Sequence, residues 1–206
     1  MTWRKGDEVR ILVLGDSVPN GGNLTDQREL ATELIKKDLE ASLRVPVVIG
    51  NISAGTWSPP NLLAYLEAYG TFDAEVAIVL LNKGDLHDFP TFSPLNPNTH
   101  PVERPATALG ELFNRYVFAR LKQRLTKTQE TPETSVEDAR KTCLPELLAI
   151  TDLLTTNHCR VFLLYHPSSD EIQVDGSSSP HETFLLIREF ANRHAISLLN
   201  LFDLTA

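Results

Sequence analysis

The chain has 206 residues, a formal net charge of -8, 42% hydrophobic residues and 22% charged residues. This is the composition of an ordinary soluble globular protein, long enough for one α/β domain with a substantial core. An acidic chain without a basic cluster is a poor fit to nucleic acid or an anionic membrane surface, and no apolar run approaches the length of a bilayer span.

The N-terminal residues 1–8, Met-Thr-Trp-Arg-Lys-Gly-Asp-Glu, carry no signal-peptide pattern. Two locations are therefore expected: cytoplasmic if the chain is complete, exported if a segment is missing upstream. Residues 11–14, Ile-Leu-Val-Leu, form an apolar run that stops at Gly15-Asp16-Ser17. A branched, apolar run bounded by turn formers predicts a buried strand of a parallel sheet. Gly15 suits a tight exit from that strand, and Pro19, Gly21 and Gly22 keep the next residues irregular. A strand, a tight turn with a serine and then a helix is one way to present a nucleophile. The same Asp-Ser pair is also an ordinary turn or helix-cap signal.

Residues 27–43 carry Leu30, Leu34, Leu39 and Leu43 with charges between them, which predicts an amphipathic helix. A second strand is expected over residues 46–52 and a small-residue turn over 53–58. Pro59 and Pro60 suit the start of a helix running through Leu62 and Leu66. Residues 75–81 form a third strand, ending at Asn82-Lys83-Gly84-Asp85-Leu86-His87-Asp88. A proline-rich loop over 89–105 is long enough to suggest a lid or other functional segment. Helices are expected over 106–125 and 136–157, separated by a polar stretch, with Pro145 kinking or restarting the second. A fourth strand over 160–165 ends at His166-Pro167, a serine-rich loop covers 170–180, a helix covers 181–194, and a fifth strand covers 196–201.

Strands alternating with helices imply one parallel sheet with helices on both faces. Ser17, the turn from Asn51 to Gly55, Asn82 to Asp88, His166 and Asp203 all follow strand ends, so one edge of the sheet collects them. The 2 cysteines, Cys143 and Cys159, lack metal-ligand spacing and read as buried free thiols. No histidine or cysteine pair has ligand spacing on one element, so no metal is expected. A nucleotide-binding reading of residues 15–22 fails, because neither the lysine-Ser/Thr ending of a phosphate loop nor Gly-x-Gly-x-x-Gly is present.

Three blocks in order carry a resemblance. They are Gly15-Asp16-Ser17 with Gly21 beyond it, Asn51-Ile52-Ser53-Ala54-Gly55 after the second strand, and Asn82-Lys83-Gly84-Asp85 after the third. In these the chain resembles the SGNH hydrolase superfamily, also called GDSL esterases and lipases, over essentially its whole length. The resemblance implies a three-layer α/β/α, flavodoxin-like fold with a parallel five-stranded sheet in the order 2-1-3-4-5. It implies a serine ester hydrolase, often acting on carbohydrate O-acetyl groups or other acyl esters, without a cofactor. Ser17 would be the nucleophile and, with Gly55, would offer a backbone amide to the oxyanion, the developing charge such donors stabilise.

The third block departs from the family pattern of glycine, any residue, asparagine, aspartate. Gly84 stands where the asparagine donor belongs, and Asn82 stands where the glycine belongs. Asn82 is the candidate for a displaced donor; the alternatives are that Lys83 or His87 reaches in or that the third donor is missing. Asp16, Asp85 and His87 are placed beside the substrate, with Lys83 also in reach; Asp85 and Asp88 alternatively only organise the turn. The family's fourth block, an aspartate three residues before a histidine, supplies the general base. The sequence runs only to Asp203-Leu204-Thr205-Ala206 after the fifth strand, without that histidine. The expectation is a single domain, residues 1–206, truncated at its C-terminus and lacking its base. The alternative function is a non-catalytic domain binding a carbohydrate or acyl group. Of the 6 histidines, His87 and His166 follow strand ends, His158 precedes a strand, His194 ends a helix, His181 starts one, and His100 lies in the long loop.

Overall fold

The computed structural model describes residues 8–22, 25–88, 107–113, 141–172 and 182–201. The chain divides into two compact units, one of residues 1–90 with 134–206, the other of residues 91–133. In the second unit the described element is the short helix α4 (Ala108–Leu112), started by the Thr107 side chain, which accepts from the Gly110 amide at 3.1 Å.

The first unit holds five strands and the helices between them. In chain order they are β1 (Val9–Gly15), α1 (Ser17–Asn20), α2 (Ala31–Leu43), β2 (Val47–Ser53), α3 (Pro59–Tyr69) and β3 (Val76–Leu81). After α4 follow α5 (Cys143–Thr156), β4 (Arg160–Tyr165), α6 (Glu182–Arg193) and β5 (Ser197–Asn200). The strands pair in the order β2-β1-β3-β4-β5, and every pairing is parallel. This is the sheet order expected from the resemblance.

Strand β1 is apolar from Ile11 to Leu14 because it lies inside the sheet, buried on both faces, while Arg10 near its start is paired with Glu8. The main core lies on one face, where Ala77, Val79 and Leu81 of β3 and Leu163 and Tyr165 of β4 meet Leu62 and Leu66 of α3, Leu147 and Ile150 of α5 and Ile187 of α6. Alternate strand residues turn the other way, as the two-residue period requires. There Ile78, Phe162 and Leu164 are half-buried and Leu199 is 51% exposed.

The helix expected over 27–43 is broken. A 3-10 turn at Gln27–Glu29 precedes α2, and Leu30 between them is extended with φ -62° and ψ 141°. Leu30 is buried, whereas Leu34 and Leu43 are exposed. The leucine that fitted the helical period is instead an anchor beneath the Gly21 turn. A Cβ built on Gly21 would meet its Cδ2 at 2.2 Å. Of the two expectations at Pro145, the described residues show a restart, with Lys141 helical and a turn at Thr142 before the next helix. Helix α5 begins at Cys143, which places Pro145 in the first turn, where its missing N–H costs nothing. Both cysteines are buried and free, as expected. The proline-rich loop, most of the helix over 106–125, the polar stretch after it, most of the serine-rich loop, His100, His181 and Asp203 lie outside the described residues.

Candidate active site

Gly15 ends β1 under steric constraint. A Cβ there would lie 2.8 Å from Pro19 Cγ and 3.2 Å from the Leu80 carbonyl oxygen. The chain can therefore turn directly from strand into α1 only with glycine at this point. Asp16 caps α1, its Oδ1 accepting from the Val18 amide at 2.9 Å. Ser17 is the first residue of the helix, is exposed, and donates its hydroxyl to Asp16 Oδ2 at 3.3 Å. Two side-chain amides fasten α1 to the end of β2. Asn51 Nδ2 donates to the Pro19 carbonyl at 2.7 Å, and Asn20 Nδ2 donates to the Ser53 carbonyl at 3.1 Å. The register agrees, since Gly15 stands opposite Ser53. The turns carrying Ser17 and Gly55 thus leave neighbouring strands at the same edge.

Gly55 is exposed, and a Cβ on it would touch nothing within 4 Å. Thr56 beside it holds φ at 61°, an unfavourable value for a β-branched residue, with its hydroxyl donating to the Gly55 carbonyl at 2.7 Å. Among the described residues no group accepts from the amide of Ser17 or of Gly55. Unengaged amides and an exposed serine hydroxyl, on turns that leave neighbouring strands at one edge, are elements an oxyanion site requires.

The third block is knitted to the first. Asn82 Nδ2 donates to Asp16 Oδ2 at 2.8 Å, its Oδ1 accepts from the Gly84 amide at 2.7 Å, and its backbone amide donates to Asp85 Oδ2 at 2.8 Å. Asn82 is therefore brought to the Ser17 turn, with its amide group engaged by Asp16. Asp85, expected beside the substrate or only organising the turn, is 2% exposed and holds the turn through the Asn82 amide. Among the described residues its Oδ1 has no hydrogen-bond partner. Burial first, and the Asp16 charge second, push the Asp85 carboxyl up to about 8. Burial, and then the same Asp16 charge, also raise Asp88, partly offset by His87.

His87 turns toward α6, its Nε2 lying 3.2 Å from Thr183 Oγ1, which in turn donates to the Lys83 carbonyl at 3.1 Å. Thr183 is fully buried and no local sequence signal marks it, because its place beside His87 depends on how α6 packs. Lys83 pairs with Asp170 beyond β4. His166 follows β4, its amide donating to the Leu81 carbonyl at 2.8 Å. His158 and His194 stand at the opposite edge, the first in the turn before β4 and the second stacked on Phe190 at 4.6 Å. None of these described histidines hydrogen-bonds Ser17. A cavity of about 470 Å³ also lies at that opposite edge, lined by Thr155, Arg160, His194 and Ser197. The site is thus identified by the Ser17 turn and its amides rather than by cavity size. Among the described residues no cluster of side chains could hold a metal ion, and no helix is long and apolar enough to cross a membrane.

No protein-family model matches the sequence, and no curated protein matches it. Solved structures do match. An acetyl xylan esterase, AlAXEase, aligns with a TM-score of 0.57 at 12% identity, over 96% of this chain and 79% of its own. AlinE4, an SGNH-hydrolase family esterase, aligns with a TM-score of 0.53 at 16% identity, over 95% of this chain and 77% of its own. TesA aligns with a TM-score of 0.52 at 14% identity, over 92% and 76% of the two chains. With its all-parallel sheet in the order 2-1-3-4-5 and helices on both sides, this chain has the fold of the SGNH hydrolases.

Proposed function

We propose that the chain is an SGNH-type serine ester hydrolase domain with Ser17 as nucleophile, acting on a small-molecule or carbohydrate ester such as an O-acetyl group. The observation that carries this reading is an exposed serine at the first position of a helix, directly after a central strand, with the Ser17 and Gly55 amides both unengaged. The esterases that share the fold, an acetyl xylan esterase among them, support the same reaction class. In the reaction Ser17 Oγ bonds to the acyl carbon while the carbonyl oxygen, gaining charge, is held by the two amides. The alcohol leaves with a proton, and water then releases the acid from Ser17. Among the described residues no histidine hydrogen-bonds Ser17, which supports the reading that this form lacks its general base. A hydroxyl without a base is a weak nucleophile, so only slow acyl transfer through Ser17 is expected.

The test is hydrolysis of p-nitrophenyl acetate and of acetylated xylan by the chain and by its Ser17→Ala variant, with labelling by a fluorophosphonate. Slow turnover and labelling, both lost in Ser17→Ala, are expected. Equal turnover by the variant would refute the reading. A second reading is a non-catalytic domain that binds the carbohydrate or acyl group. It is favoured by the Ser17 hydroxyl being engaged by Asp16. Saturable binding of acetylated oligosaccharide without hydrolysis or labelling would select it.

A further inference from the structure

We propose that Asn82 is a positioning residue for Ser17, acting through the Asp16 carboxylate, rather than a donor to the oxyanion. The inference rests on Ser17 being the nucleophile. Its ground is the way the Asn82 carboxamide is held at both ends. Its oxygen accepts from the Gly84 amide at 2.7 Å and its nitrogen donates to Asp16 Oδ2 at 2.8 Å. The backbone of Asn82 is fixed as well, by its amide donating to Asp85 Oδ2. By contrast the Ser17 and Gly55 amides have no described acceptor and remain available to a substrate oxygen.

Asp16 is the hub of this arrangement. It is 8% exposed, and its two oxygens receive donors from three places. Oδ1 takes the Val18 amide, and Oδ2 takes both Asn82 Nδ2 and the Ser17 hydroxyl. The carboxylate plane is therefore set from two strand ends, β1 and β3, and with it the direction of the Ser17 O–H bond. Without the Asn82 donor, Oδ2 is free to follow the serine, and the hydroxyl loses its fixed orientation. The residue at position 84 fits the same account. A Cβ on Gly84 would lie 3.2 Å from Asn82 Oδ1, so glycine there leaves the space into which the carboxamide folds back. Asparagine at 82 and glycine at 84 thus work as a pair. Correct orientation of a reacting group changes its reaction rate more than substrate binding, so the loss is expected in kcat rather than KM.

A double-mutant cycle tests this on the full chain, using Asn82→Ala, Asp16→Asn and both together. Rates of p-nitrophenyl acetate hydrolysis and of Ser17 phosphonylation are read, with melting temperature as the folding control. Asp16→Asn is chosen because asparagine still caps a helix. Asn82→Ala is expected to lower kcat about tenfold with KM unchanged, and the double variant to react no more slowly than Asp16→Asn alone. Independent, multiplying losses, or a loss of a hundredfold or more from Asn82→Ala alone, would overturn the proposal in favour of an oxyanion donor. An Asn82→Ala variant as fast as the parent would also overturn it. If Asn82→Ala does not fold, Asn82→Asp completes the cycle, since it keeps the acceptor for Gly84 while losing the donor to Asp16. Phosphonylation that does not occur at Ser17 would instead refute the nucleophile assignment itself, an outcome distinct from multiplying effects at a labelled Ser17.

Discussion

Replacing Asp85 by asparagine should flatten the pH dependence of folding stability between pH 4 and 8. The carboxyl is raised from 3.8 to about 8 in the folded chain, by burial first and the Asp16 charge second. The sign follows from proton binding. Above pH 4 the unfolded chain has lost this proton while the folded chain keeps it, so unfolding releases a proton. Stability contributed by the neutral acid is fully present below pH 4 and is lost as pH rises toward 8. The gap corresponds to at most roughly 6 kcal/mol, at about 1.4 kcal/mol per tenfold change in proton concentration. Asparagine keeps an acceptor for the Asn82 amide, carries no charge at any pH, and is nearly isosteric with the neutral acid. Urea unfolding of parent and Asp85→Asn at pH 5, 6, 7 and 8 measures the difference directly. The variant should gain on the parent by up to about 1.4 kcal/mol per pH unit across this range, levelling above pH 8. Comparing the two chains removes the contribution of Asp88, which is also raised. A difference that stays constant from pH 5 to 8 would show that Asp85 is ionised in the folded chain and would refute the reasoning.

Gly15→Ala should destabilise the fold by about 1–3 kcal/mol in urea unfolding, the usual cost of overpacking, because its Cβ would press on Pro19 and the Leu80 carbonyl. Gly55→Ala should leave the unfolding midpoint unchanged, since a Cβ there meets nothing within 4 Å, yet slow ester hydrolysis by crowding the approach to its amide; unchanged hydrolysis would remove Gly55 from the site. Cys143 and Cys159 should resist a thiol reagent at pH 8 until urea unfolds the chain, because burial pushes their thiols up to about 12 and about 11. Rapid modification of either in the native protein would contradict that burial.

The strands were legible in the sequence because their signal is local. Apolar runs such as residues 11–14 and 76–81, bounded by turn residues, form buried parallel strands wherever the chain places them. That the turns carrying Ser17, Gly55 and Asn82 all leave one sheet edge was legible for a related reason, since in a parallel sheet every strand delivers its following turn to the same side. Helix period misled at Leu30, where one buried anchor under Gly21 outweighed the propensity for a continuous helix. Who bonds to whom within the site was not legible. Asn82 meets Asp16 across 66 positions, and His87 meets Thr183 across 96. Those pairings exist only because β3 lies beside β1 and α6 packs near the end of β3. The depth of Asp85, and hence its proton, was likewise decided by tertiary packing. Sequence spacing determines which side chains reach an edge, whereas strand order and helix packing determine which of them touch, which are buried, and which remain open to a substrate.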